Sequence, residues 1–186
     1  MLSSTFQKLS NTTEKKLLFL AIACFLLAGS CMMHFDEPLK SEVSPLGIVS
    51  LELAKTLENA TQILNTWNAT ETAMQAAEWS LWFDYVFIIT YVLLLCLMLH
   101  RTRRMVWKET TSLAYRIGTV LITMVVFAGL LDMVENFALL QLFYGDLQSH
   151  WVHLAFATAT IKFINIVIGI LYVIISWLMV GIKKLT

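Results

Sequence analysis

The sequence predicts an all-α fold: an integral membrane four-helix bundle with an amphipathic extracytoplasmic helix between its first and second spans. Three observations predict it. Of 186 residues, 58% are hydrophobic and only 14% charged, with a mean hydropathy of +0.72, whereas soluble domains are about one quarter charged. Four apolar stretches, at about 17–33, 80–99, 117–139 and 152–180, reach the length that crosses a bilayer. Basic residues, finally, gather at alternate connections rather than evenly. The length suits a single membrane domain covering residues 1–186. A formal net charge of +0 gives no reason to expect a nucleic-acid partner.

The first stretch follows a polar leader that carries Lys8, Lys15 and Lys16. Its small residues Ala28-Gly29-Ser30 before Cys31 resemble a cleavage site. Ala28, however, stands where a lipoprotein signal carries a larger aliphatic residue, so an uncleaved first span is expected. Cys24, Cys31 and Cys96 have no paired spacing and read as small apolar core residues.

Residues 34–79 form the longest polar region. Ser44-Pro45 reads as an N-cap followed by proline at the first helical position. Leu46, Val49, Leu53, Leu57, Ala60 and Leu64 then recur at helical spacing. This predicts an amphipathic helix over 44–64, on the membrane or across the mouth of the bundle. A break is expected at Asn65–Asn68, with Asn68 and Glu71 as a capping pair for the next helix. That helix can run from about Ala69 into the second span. Trp79, Trp82 and Tyr85 mark its start, where an aromatic belt belongs. Asn59-Ala60-Thr61 and Asn68-Ala69-Thr70 are glycosylation sequons, which act only in a eukaryotic secretory pathway.

Orientation follows from the basic residues. Arg101, Arg103, Arg104, Lys108 and Arg116 place the second connection inside, and Lys8, Lys15, Lys16, Lys183 and Lys184 do the same for both ends. The third connection has no Lys or Arg, and Tyr144-Gly145-Asp146 gives it a turn. Four spans with both termini cytoplasmic are expected.

Within this apolar frame the third span carries Asp132, Glu135 and Asn136, which share one helical face at i, i+3 and i+4. Such residues face the bundle interior rather than lipid. Asp84 lies about 6 Å inside the outer end of the second span by helical rise, with Tyr91 on the same face. Thr158, Lys162, Asn165 and Gly169 form a stripe on the fourth span. Polar groups from three helices therefore reach one level in the outer half of the bundle. Lys162 is expected to pair with Asp132 or Asp84, and Asn136 with Asn165. The carboxylates outnumber the lysine, so the surplus must be protonated, hydrated or balanced by a cation, because an unpaired buried charge costs several kcal/mol.

Other chemistries find little support. No serine stands in a nucleophile elbow, no zinc-protease helix signature occurs, and no glycine-rich phosphate loop is present. No cofactor is expected. His150 and His153 share a face at i, i+3, and with Asp146 or Glu135 they are the nearest approach to a metal site, without a recognised ligand spacing. Four spans without an internal repeat are few for a carrier.

Two stretches, Gly47-Ile48-Val49-Ser50-Leu51-Glu52-Leu53-Ala54 and Leu131-Asp132-Met133-Val134-Glu135-Asn136, resemble a group of small four-span bacterial membrane proteins. The resemblance implies the architecture and a bacterial inner-membrane location, and carries no activity. It also draws Glu52 into the cluster, if the amphipathic helix folds over the bundle mouth. The ligand- or ion-binding candidates are thus Glu52, Asp84, Asp132, Glu135, Asn136, Lys162 and Asn165. The function expected is a non-enzymatic membrane protein whose outer-leaflet cluster organises the bundle and binds a proton, cation or small amphiphile. Two alternatives stand beside it: a membrane-embedded enzyme acting on a lipid or quinone-like substrate, and a helper subunit of a larger membrane complex. The partners expected are the lipid bilayer and either another membrane protein or a second copy of the chain.

Overall fold

The computed structural model describes residues 10–185. Lys8 of the basic leader lies outside them. Four helices are long and apolar enough to cross a membrane: α1 (Asn11–Asp36), α4 (Glu71–Val106), α5 (Leu113–Phe143) and α6 (Ser149–Leu185). Between α1 and α4 lie a 3-10 turn (Glu37–Leu39) and two short helices, α2 (Ile48–Glu52) and α3 (Leu57–Asn68). Among the described residues there is no strand.

The helices begin where local chemistry satisfies their first amide groups. Ser10 accepts from Thr13 N, Thr56 from Asn59 N and Ser112 from Tyr115 N, each at a helix N-cap. The turn between α5 and α6 uses Gly145 at φ 99°. Asp146 then accepts from Gln148 Nε2 at 2.6 Å and Trp151 Nε1 at 2.7 Å, and these bonds hold its carboxyl below the usual carboxylate range.

α4 is the central helix, packing against α1, α5 and α6. α5 and α6 pack closely together, whereas α1 rests on α4 and has at most marginal contact with α6. Only 11% of the most apolar stretch of α1 is buried, against 44% for α4. A gap therefore runs between α1 and α6 with α4 as its floor.

The polar connection, residues 37–70, folds back over one end of the bundle. It forms an apolar core with the ends of α4, α5 and α6, in which Leu39, Leu51, Trp67, Leu81 and Leu139 are all at most 1% exposed. Trp67 Nε1 donates to Leu39 O at 2.9 Å, which ties the end of α3 to the 3-10 turn that follows α1. A second core, including Ile88, Tyr91, Leu95, Leu121 and Val125, fills the middle of the bundle.

The expected continuous amphipathic helix over 44–64 is two helices instead. The break at residues 53–56 places Thr56 at a new N-cap. Ser44 is not a helix cap; it is buried and donates to Leu39 O at 2.6 Å. Nor is Asn68 the cap of α4, because it ends α3 and Thr70 occupies that position. Of the cysteines expected in the core, only Cys96 is buried, and Cys24 is exposed on α1. An exposed helix face in a membrane contacts hydrocarbon, so an apolar pattern does not separate core from lipid face.

One glycine fixes how the connection enters α2. Gly47 has φ 57°, ψ −127°, a conformation open essentially to glycine alone. A Cβ there would also collide with the Asp36 carboxylate. Asp36 Oδ1 accepts from Ile48 N at 2.7 Å, so the last residue of α1 anchors the first of α2. Gly47→Ala is expected to cost at least about 1 kcal/mol, seen as a lower Tm and faster proteolysis within residues 44–56. Unchanged cleavage and Tm would contradict this anchoring.

Candidate functional site: a carboxylate cluster at the end of a lateral crevice

The α5 face predicted by its spacing is buried as a unit: Asp132 is 3%, Glu135 0% and Asn136 2% exposed. Gly129, one turn earlier, lets α4 come close. A Cβ at Gly129 would stand 2.6 Å from a Val92 methyl, which is too near without movement. Across that approach Tyr91 OH donates to Asp132 Oδ2 at 2.8 Å.

Lys162 of α6 is the centre of the cluster. Its Nζ lies 2.6 Å from Asp132 Oδ1, 2.8 Å from Glu135 Oε1 and 3.4 Å from Glu52 Oε2. An ammonium has three hydrogens, and here three carboxylates face them. The expected pairing with Asp132 is present. Asp84 instead accepts from Asn136 Nδ2, so the expected Lys162–Asp84 pair and Asn136–Asn165 clasp are absent. Asn165 is buried one turn along α6 from Lys162 but takes no part in these bonds. Glu52 reaches the cluster from the last turn of α2, above the bundle.

Two carboxylate oxygens, Glu52 Oε2 and Glu135 Oε2, are buried and accept no hydrogen bond among the described residues. Buried polar atoms are rarely left so. Glu52 Oε2 still has the Lys162 ammonium 3.4 Å away as an ionic partner, so its acceptor capacity is only partly used.

The cluster closes one end of a cavity of about 600 Å³, within the size range of small-molecule sites. Phe25 and Met33 of α1, Phe87 and Leu94 of α4, and Ile166 and Ile170 of α6 line its apolar length. Asp36, Glu52, Asp84, Asp132 and Lys162 line its polar part. Asp84 and Met98 both border it, and by helical rise they are about 21 Å apart along α4. The gap between α1 and α6 is its side opening.

His150 and His153 do not join this site. Both are exposed on the first turns of α6, and the His150 ring lies tilted against that of Trp151 with centroids 4.4 Å apart. Asp146 is already engaged by Gln148 and Trp151. Among the described residues no group of three His, Cys, Asp or Glu is placed to hold a metal ion.

A second buried cluster, at the opposite end, is not foreshadowed by the sequence. Glu14 is 1% exposed and pairs with Arg101 at 3.2 Å and Arg104 at 3.1 Å. Arg103 is equally buried, donates to Thr119 Oγ1 at 2.6 Å and lies over the Tyr115 ring. The only hint was an acidic residue in a basic leader, four residues into α1.

Comparison of the chain with protein-family models, with curated proteins and with solved structures finds no match.

Removing the ammonium should expose its structural weight. Lys162→Met leaves three carboxylates facing one another, and truncating one partner of a buried ionic group costs about 3–5 kcal/mol. The variant is expected to melt well below wild type in the same detergent at neutral pH. Equal or higher Tm would mean that the lysine is kept at a cost to stability, as functional residues often are.

Proposed function

We propose that the chain is a non-enzymatic, multi-pass protein of a bacterial inner membrane that binds a small amphiphile in the crevice between α1 and α6. The carboxylate cluster has two roles in this reading. It holds α2, α5 and α6 in register, and it receives the polar head of the ligand. One observation carries the proposal: a largely apolar cavity opens sideways and ends at buried carboxylates that share a single lysine. Sites of this shape take ligands by apolar contact and orient them with a few polar groups.

The side opening fits a ligand that arrives from the bilayer rather than from water. The basic residues at the far end of the bundle put that end, with both termini, at the cytoplasmic face. The cluster then sits in the outer leaflet, covered by α2 and α3. Exposed Trp79 and Trp82, the latter donating to Tyr144 OH at 3.2 Å, suit the outer interface.

The test uses purified protein in lipid nanodiscs and a panel of dodecyl amphiphiles with different heads. A ligand that binds only the folded state raises Tm. At least one member is expected to do so, and Ile170→Trp, at a partly exposed crevice position, is expected to weaken it at least tenfold. Stabilisation that is indifferent to a filled crevice would contradict the proposal.

A further inference from the structure

Resting on the crevice reading, we infer that the head of its ligand is cationic: the site takes a single-chain amphiphile with an amine head, seated between Glu52, Asp84 and Asp132. The crevice lining holds four carboxylates, Asp36, Glu52, Asp84 and Asp132, and one basic group, Lys162. The formal excess is three negative charges.

The lysine offers nothing to an anionic head. Its three hydrogens already face Asp132, Glu135 and Glu52. A phosphate or carboxylate head would meet carboxylates on every free side of the site. A neutral hydroxyl head could donate one hydrogen bond but would leave the charge excess as it was.

Glu52 makes the argument more than a matter of acidic composition. It is 7% exposed and lines the crevice, and among the described residues its Oε2 has an ion pair with Lys162 Nζ at 3.4 Å but no hydrogen bond. Asp84, on α4, has Asn136 as its only hydrogen-bond partner among the described residues. A protonated amine brings up to three donors, and charge-assisted bonds to carboxylates are the strong class. Phe87 and Tyr91 line the same region, and aromatic faces favour a bound cation. Beyond the head, Leu94, Met98 and Ile170 offer an apolar track for one chain.

The probes are dodecylammonium, dodecanol and laurate, each titrated into the wild-type protein in nanodiscs with Tm as the readout. The expected result is that dodecylammonium binds at least tenfold more tightly than either of the others. Asp84→Asn, which keeps the size of the side chain, should remove most of that preference. Ile170→Trp should weaken all binding alike, and it checks the crevice even if Asp84→Asn fails to fold. Equal binding of dodecylammonium and dodecanol, or tighter binding of laurate, would overturn the cationic head and leave the crevice standing. No stabilisation by any probe would overturn both, and would mean that protons alone balance the carboxylates.

Discussion

The ammonium of Lys162 is the interaction on which the rest of the structure depends. It is the point at which α6, α5 and the covering helix α2 meet, through Asp132, Glu135 and Glu52. In hydrocarbon, apolar packing alone gives helices little reason to choose one rotation over another, since lipid tails are as apolar as leucine. A buried charge does give such a reason. Any rotation of α5 or α6 that parts Lys162 from its carboxylates leaves an uncompensated charge among apolar groups, at a cost of several kcal/mol. The polar cluster lies between two apolar cores, one under the covering segment and one in the middle of the bundle, and so sets the register of both.

The same cluster shapes the crevice. α4 touches every other long helix, but α1 and α6 diverge. α1 is held at one end by Asp36 on Ile48 N and at the other by Glu14 on Arg101 and Arg104. Between these anchors it contributes few buried residues. A helix pinned at both ends and loosely packed between them leaves space beside its neighbour. That space runs to the cluster of Glu52, Asp84, Asp132 and Lys162. Lys162 joins three carboxylates, and Asp36 and Asp84 also line the opening.

Much of this was legible in the sequence because the membrane leaves few choices. Asp132, Glu135 and Asn136 share a face by helical periodicity alone, and a charged face inside a span has to point inward. Lys162 was recognisable for the same reason. Partner choice was not. Whether Asn136 meets Asp84 or Asn165 depends on how α4 and α6 are turned towards α5, and the close approach of α4 at Gly129 and Val92 is not encoded in the spacing of polar residues. The 44–64 segment has helical periodicity throughout, yet the chain breaks where Thr56 offers a cap and Gly47 a turn, so a periodic pattern survived an interrupted helix. The burial of Glu14 has no local signal, because its two partners lie 87 and 90 positions further along the chain, at Arg101 and Arg104. The crevice had no sequence signal, since it comes from the sparse contact between α1 and α6, which no spacing along the chain encodes.

The most direct test of Lys162 as organiser is a double-mutant cycle with Glu135, the most deeply buried of its partners. Unfolding free energies would be measured for wild type, Lys162→Met, Glu135→Met and the double variant in one detergent. Each single change is expected to be strongly destabilising, and the double variant to be more stable than their sum by at least about 1 kcal/mol, within the range found for coupled neighbours. Additive losses would contradict it, because they would mean that the two side chains stabilise the bundle independently and that the ammonium does not hold α5 to α6.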